Sequence, residues 1–319
     1  MSEHLPPNTP LPASSSTAAA GVAAPVKAAW VVRLNDYVEL LKPRLTGLVL
    51  LTVAGGFVMG SGVTLAYGAL AHVLVGMVLV VGGGATLNQY LERSTDGLMR
   101  RTQNRPLPAS RMTPNEVLYY GAILAIAGLV YLGLYSTVLV MLLSALAAGI
   151  YLLAYTPLKT RTVWNTMVGG VTGALPPMIG WAAASGRVTP GAWALFWILF
   201  VWQMPHFFAL SWCFKDDYQA AGIRMVSGLN DGGRAVMSLV LLFALALVPV
   251  SLMPWTTGAA GGLYCGSAAV LSVVFLGLCV RLFFTRARRD AWWVFGASIA
   301  YLPILFGVML YDRLPAMVG

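Results

Sequence analysis

From Pro43 to the C-terminus, apolar runs alternate with short polar connections, over 44–62, 65–91, 115–135, 138–157, 165–184, 190–213, 235–254, 259–284 and 291–311. Each run has about the length, some twenty residues, that an α-helix needs to cross a hydrocarbon core of roughly 30 Å. The pattern therefore predicts an all-α, polytopic membrane protein with about nine transmembrane helices. Just before the first run, Trp30, Val31, Leu34, Tyr37, Val38 and Leu41 recur at helical spacing, which predicts a short amphipathic helix at the membrane surface. Residues 1–26, rich in Ser, Thr, Ala and Pro, read as a disordered tail, and 27–319 as one transmembrane domain that includes the surface helix.

Composition agrees with the pattern. The 319 residues are 58% hydrophobic and 10% charged, far from the balance of soluble domains. A net charge of +9 in such a chain reports loop orientation, and nucleic acid is not an expected partner. With nine spans, the basic residues of the N-terminal segment and of the second-to-third, fourth-to-fifth, sixth-to-seventh and eighth-to-ninth connections share one side, and only Arg187 and Arg313 fall on the other. The positive-inside rule makes the crowded side cytoplasmic, with the N-terminus inside. A bacterial plasma (inner) membrane is the expected location, ahead of a mitochondrial inner membrane. Cys213, Cys265 and Cys279 lie in apolar stretches without metal or disulfide spacing and read as packing residues.

Two polar clusters interrupt this apolar chain at its cytoplasmic side. In "NQYLERSTDGLMRRTQNR", Asn88, Glu92 and Asp96 fall on one helical face at i, i+4 and i+8. Hard oxygen ligands so spaced suit Mg²⁺, which takes one or two carboxylates and completes its shell with water and phosphate oxygens. The nearby Arg93, Arg100, Arg101 and Arg105 could hold a diphosphate by forked hydrogen bonds. The alternative is an ordinary helix end with acids and bases paired in a solvated loop.

The second cluster ends "WQMPHFFALSWCFKDDYQAAG". On a continuous helix, Gln203, His206, Cys213 and Asp217 fall within about 80°, forming a polar stripe that descends from the mouth into the bilayer. Asp216 and Asp217 could supply a second Mg²⁺ site, with Lys215 beside the same phosphates. His206, together with Gln203 and Trp202, reads as a binding site deeper in the membrane, or alternatively as a satisfied polar group. Trp202, Phe207, Phe208 and Trp212 could be cavity walls. "YTPLKTR" offers Tyr155, Lys159 and Arg161 for phosphate contact, or else serves as an orientation-setting loop. Asn165 could join the polar face, Gly169, Gly173, Gly180, Pro176 and Pro177 read as close, kinked helix packing, and Lys42 and Arg44 read as membrane anchors.

The stretch "NQYLERSTDGLMRRTQNRPLP" resembles the first aspartate-rich motif of the UbiA-type intramembrane prenyltransferases. With "YTPLK", "WQMPHFFALSW" and "KDDYQAAGIRM" following in order, the chain resembles the heme-farnesylating branch of that family from about Lys42 to Tyr311. The resemblance implies a helical bundle around a central cavity, an enzyme, and Mg²⁺ as cofactor. Its implied substrates are heme b and farnesyl diphosphate, with the farnesyl group joining a heme vinyl group, and a downstream heme-modifying enzyme is a conceivable partner beside the lipid bilayer. By the resemblance, Asn88, Glu92 and Asp96 form the first metal motif, Asp216 and Asp217 the second, and Tyr155 and Lys159 a pair on the diphosphate side. Glu92 stands where many members have Asp, and the second motif is shorter than the spaced aspartates of the wider family. Rival readings are a transferase acting on 4-hydroxybenzoate or a related quinone precursor, which needs no iron ligand, and a membrane heme-binding protein or transporter without chemistry. "DGLMRR" also resembles the core of phosphatidyl-group transferases, but Arg93 stands where that pattern has Asp.

Overall fold

The computed structural model describes residues 29–100 and 102–318. The expected tail over 1–26, Lys27 and Arg101 lie outside the described residues. A surface helix, α1 (Ala29–Leu40), leads through Lys42, in the left-handed conformation at φ 47°, into α2 (Pro43–Gly60), whose first residue is a proline. Proline suits that position because its missing N–H has no partner in the first turn of a helix anyway. Then follow α3 (Tyr67–Leu91), the one-turn α4 (Arg93–Asp96) and α5 (Pro114–Tyr135), which starts on a capping box between Thr113 and Glu116. Next comes α6 (Val138–Gly149), continued by a π-helical turn, Ile150–Tyr155, and by α7 (Thr156–Leu158). The remaining long helices are α8 (Asn165–Ser185), α9 (Pro190–Cys213), α11 (Arg234–Ser251) with its extension α12 (Met253–Thr256), α13 (Gly262–Thr285) and α14 (Arg288–Val318); the short α10 (Lys215–Ala220) follows α9.

Among the described residues there is no strand, and eight segments are long and apolar enough to cross a membrane. Helix α8 is the ninth long helix. It carries Gly, Thr and two internal prolines, Pro176 and Pro177, and it sits between α2 and α9. It can be less apolar because protein, not lipid, covers it: the run from Ala174 to Ala182 is buried throughout. The nine expected runs thus become nine long helices, with α14 extending beyond its apolar run at both ends.

Packing divides the bundle into two halves that share α9. Helix α3 packs against α5 and α2 against α8, while α11, α13 and α14 pack around α9 on the other side. The α2–α8 seam is close enough to need glycine: a Cβ at Gly56 would lie 1.9 Å from the Pro177 carbonyl oxygen, and one at Gly180 would lie 1.9 Å from that of Val53. Outward faces carry Leu48, Leu51, Ile123, Leu153 and Phe284, all exposed, as expected where lipid is the solvent. In the other half, Tyr301 of α14 joins Ser251 and Ser272 through its hydroxyl at 2.7 and 2.8 Å, which satisfies three buried polar groups inside the bundle.

Candidate active site

The ends of α2, α3 and α8, the α6–α7 segment and the last turns of α9 surround a cavity of about 400 Å³. Its shaft is apolar and its mouth is charged. At the mouth, three oxygen-bearing side chains from successive turns each meet a cation. Lys42 Nζ donates to Asn88 Oδ1 at 2.9 Å, Lys159 Nζ to Glu92 Oε1 at 2.5 Å, and Arg105 Nη1 to Asp96 Oδ2 at 2.6 Å. All six residues line the cavity.

Local structure explains the alignment. Asn88 ends α3 in buried surroundings, with its amide nitrogen donating to Thr156 Oγ1 at 3.1 Å. After Glu92 interrupts the helix, the single turn of α4 carries Asp96 back over the mouth, where it is 1% exposed. On the opposite wall the π turn places Tyr151 and Tyr155 in a stack with centroids 5.8 Å apart, and Lys159 Nζ sits 4.5 Å from the centre of the Tyr155 ring. Gly169 on α8 makes room for that ring, since a Cβ there would fall 2.7 Å from Tyr155 Cε2. The loop beyond α9 is pinned to the same mouth: Arg224 N donates to the Lys159 carbonyl at 2.8 Å, and Asn165 Nδ2 to the Arg224 carbonyl at 2.6 Å.

Burial sets the electrostatics. It pushes the Asp96 carboxyl above its ordinary pKa, against the opposing pull of Arg105. It also brings Lys42 down to about 7, helped by the positive fields of Arg105 and Lys159. Burial works against the Lys159 ammonium too, but Tyr155 and Glu92 outweigh it and hold that group above the usual lysine value. The mouth therefore keeps Lys159 charged and holds Lys42 close to its balance point.

Several sequence expectations meet a different geometry. Lys42, read as a membrane anchor, points into the cavity because its left-handed backbone turns the chain between α1 and α2. Its partner, Asn88, lies 46 residues away. Of the expected arginines, Arg105 reaches the site. Arg93 instead donates to the Tyr90 carbonyl at 2.7 Å and rests on the Tyr90 ring, and Arg100 is exposed on the surface. The polar stripe from Gln203 to Asp217 does not form, because α9 ends at Cys213 and α10 restarts with a new direction after Phe214. Asp216, with its side chain 80% exposed and 3.8 Å from Arg288, does not line the cavity; nor do Asp217 and Lys215, the latter lying over the Trp212 ring. Gln203 turns to α8, donating to the Gly170 carbonyl at 2.7 Å. Trp202 and His206 turn to α14: the indole donates to the Ser298 carbonyl at 2.9 Å, and His206 Nδ1 meets Ser298 Oγ at 2.8 Å. Phe207, next to that histidine, does line the cavity, as do Leu210 and Tyr218, whereas Phe208 is buried against Phe243.

The donor set at the mouth suits a hard divalent cation that also binds substrate. Asp96 Oδ1 is buried without a hydrogen-bond partner, and it shares the wall with the Asn88 amide oxygen and the Glu92 carboxylate. Among the described residues no group of three or more His, Cys, Asp or Glu could hold a metal ion, so an ion here would complete its shell with water and phosphate oxygens, as Mg²⁺ prefers. Three cations beside two carboxylates leave the mouth attractive to a polyanion, and the apolar shaft below takes a hydrocarbon tail.

The UbiA prenyltransferase family model matches residues 49–306. The chain is 40% identical over 289 residues to a protoheme IX farnesyltransferase of Solibacter usitatus, covering 88% of this chain and 99% of that protein. To one from Myxococcus xanthus it is 42% identical over 282 residues, covering 88% and 95%. Solved structures share the fold. One concerned with digeranylgeranylglyceryl phosphate synthase in membranes superposes with a TM-score of 0.77 at 17% identity, covering 89% of this chain and 99% of that one. A UbiA homologue from Archaeoglobus fulgidus bound to DMAPP and Mg²⁺ superposes with a TM-score of 0.60 at 15% identity, covering 86% and 99%. With its motifs in order, its helices around one charged-mouth cavity and relatives matched over nearly their whole length, this chain belongs to the UbiA prenyltransferase family.

Proposed function

We propose that this chain transfers the farnesyl group of farnesyl diphosphate to a vinyl group of heme b, releasing diphosphate and leaving a hydroxyethylfarnesyl arm on the porphyrin. The observation that carries the reading is the three-rung ladder of Lys42–Asn88, Lys159–Glu92 and Arg105–Asp96 at the mouth of an apolar shaft. The names borne by relatives at about 40% identity support heme b as acceptor.

The chemistry follows from placement. Asn88, Glu92 and Asp96 would hold Mg²⁺, which when bound supplies charge neutralisation to the diphosphate. Lys159, Arg105 and Lys42, released from their oxygen partners, donate to phosphate oxygens as negative charge grows there, a preorganised stabilisation of the leaving group. The allylic C–O bond breaks with its electron pair leaving on the diphosphate. The cationic carbon then lies beside the stacked Tyr151 and Tyr155, whose ring faces favour positive charge. The apolar shaft keeps water from that carbon until the vinyl group attacks it. Water then adds to the carbon next to the porphyrin and loses a proton.

At about 400 Å³ the cavity suits the prenyl diphosphate, so the heme belongs on the seam between α9 and α14. There Ser298 fixes His206 Nδ1, Trp202 stacks on the imidazole at 5.4 Å, and Phe295 lies 4.7 Å away, leaving Nε2 available to iron. The protein sits in a bacterial inner membrane with its N-terminus and cavity mouth on the cytoplasmic side, where the basic connections gather.

The test is a product assay. Purified protein and an Asp96→Asn variant are incubated with heme b, farnesyl diphosphate and Mg²⁺, and the extracted porphyrins are weighed by mass spectrometry. A hydroxyethylfarnesyl heme from the wild type alone supports the reading; prenylated 4-hydroxybenzoate with unmodified heme would replace the acceptor. For the iron ligand, His206→Ala should weaken heme binding in a spectral titration, and unchanged affinity would remove that assignment.

A further inference from the structure

The far end of the cavity is closed by side chains from three helices. Met77 is its deepest lining residue on α3, Ser144 on α6 and Ile179 on α8, and all three are 2% exposed or less. Two of them are joined: Ser144 Oγ donates to Met77 Sδ at 3.3 Å. A hydroxyl in this apolar setting fixes the end of the most flexible apolar side chain, turning an adaptable filler into a stop. Above the pair the wall is small, with Gly84, Ala85, Ala147, Ala148 and Gly173 leaving the shaft open. Below it, Val73, Leu132 and Val140 are fully buried and continue the packed core.

The depth is set by α3 itself. Met77 lies eleven residues before Asn88, about 16 Å at the rise of an α-helix. Three isoprene units in extended conformation reach that far from a diphosphate held at the mouth, and a fourth would meet the thioether. We infer that the Met77–Ser144 pair is the floor that measures the prenyl chain and makes a farnesyl-length donor the preferred one. The inference rests on the proposed seating of the diphosphate at the mouth. Truncating Met77 to alanine removes three heavy atoms at the floor, most of the room that another five-carbon unit needs. Introducing an aromatic ring at Ser144 fills the lowest part of the shaft instead.

The experiment measures binding and transfer separately on the same proteins. Wild type, Met77→Ala and Ser144→Phe are titrated calorimetrically with geranyl, farnesyl and geranylgeranyl diphosphates in the presence of Mg²⁺, then offered an equimolar mixture of the three with heme b. Methylene-scale fit in an apolar pocket discriminates by about tenfold or more. Met77→Ala should therefore shift the affinity ratio of geranylgeranyl to farnesyl diphosphate upward by about tenfold, and Ser144→Phe should shift preference toward geranyl diphosphate by a similar factor. Products by mass spectrometry should follow the same order. An unchanged rank order of affinities in both variants, each with a cooperative thermal transition, overturns the floor. Shifted affinities without any prenylated heme from the wild type would instead retain the floor and overturn the acceptor. If Met77→Ala fails to fold, Ser144→Phe alone decides, because a ring in the shaft must disfavour the longer chains whenever the tail lies there.

Discussion

Gly180→Ala tests whether the α2–α8 seam is as tight as it looks. The new Cβ would stand 1.9 Å from the Val53 carbonyl oxygen and 2.8 Å from Phe57 N, both backbone atoms on the facing helix. No rotamer change can relieve a clash with backbone, so the helices must part until the contact exceeds 3.0 Å, a movement of about 1 Å. Overpacking of this kind costs about 1–3 kcal/mol, and a rigid neighbour puts this site at the upper end. Melting of the purified protein in detergent should fall by about 2 °C or more per kcal/mol. Gly47→Ala supplies the internal control: it is on the same α2, nothing lies within 4 Å of its added Cβ, and it should leave the melting temperature unchanged or slightly raised. Gly56→Ala strains the other half of the same seam, so Gly56→Ala combined with Gly180→Ala should lose less than the two single losses together. Because α2 and α8 both line the cavity, farnesyl diphosphate affinity should fall with stability. A Gly180→Ala protein that melts with Gly47→Ala would refute the close approach.

Three further outcomes check other parts of the molecule. Lys42→Met removes a donor to the diphosphate and should raise the KM for farnesyl diphosphate about 10- to 100-fold in steady-state assays, from the value of a hydrogen bond to a charged group, with Lys42→Arg less affected. Tyr301→Phe strips the hydroxyl shared by Ser251 and Ser272 and should cost about 0.6–2 kcal/mol in thermal or denaturant unfolding, without changing donor affinity. Asp231 accepts from the backbone of Ala235 and Gly233 at the start of α11, and those bonds hold its carboxyl below the usual range. Its contribution is complete above the unfolded value of about 3.9 and is lost as pH falls through the lower folded value. Asp231→Asn should abolish that acid-side dependence in hydrogen exchange of the Ala235 amide.

Periodicity was a good guide to the helices because lipid imposes one rule on every exposed face, so run length translates directly into span. It also located α8, although that helix is kept in place by protein contacts rather than by its own hydrophobicity. The first polar cluster was legible because Asn88, Glu92 and Asp96 are local neighbours on one helical face. Its cations were less so. Lys42 meets Asn88 only through the tertiary arrangement of α2 and α3, and its left-handed backbone is invisible in an "LKPR" string. The second cluster misled because a helical wheel assumes one uninterrupted helix. The break at Phe214 rotates Asp216 and Asp217 out of phase with His206, and no residue in "CFKDD" announces it.

The π turn over Ile150–Tyr155 spends one residue more than an α-helix would on the same rise. Everything after it, including Lys159, is phased by that extra residue. In this span, length is therefore as constrained as identity. A single deletion anywhere in the turn, even of the lipid-facing Leu153, would let the helix rewind and rotate Lys159 by about 100° away from Glu92. Conservative substitutions can drift through this stretch, while insertions and deletions uncouple the lysine from the mouth with every side chain of the ladder still present.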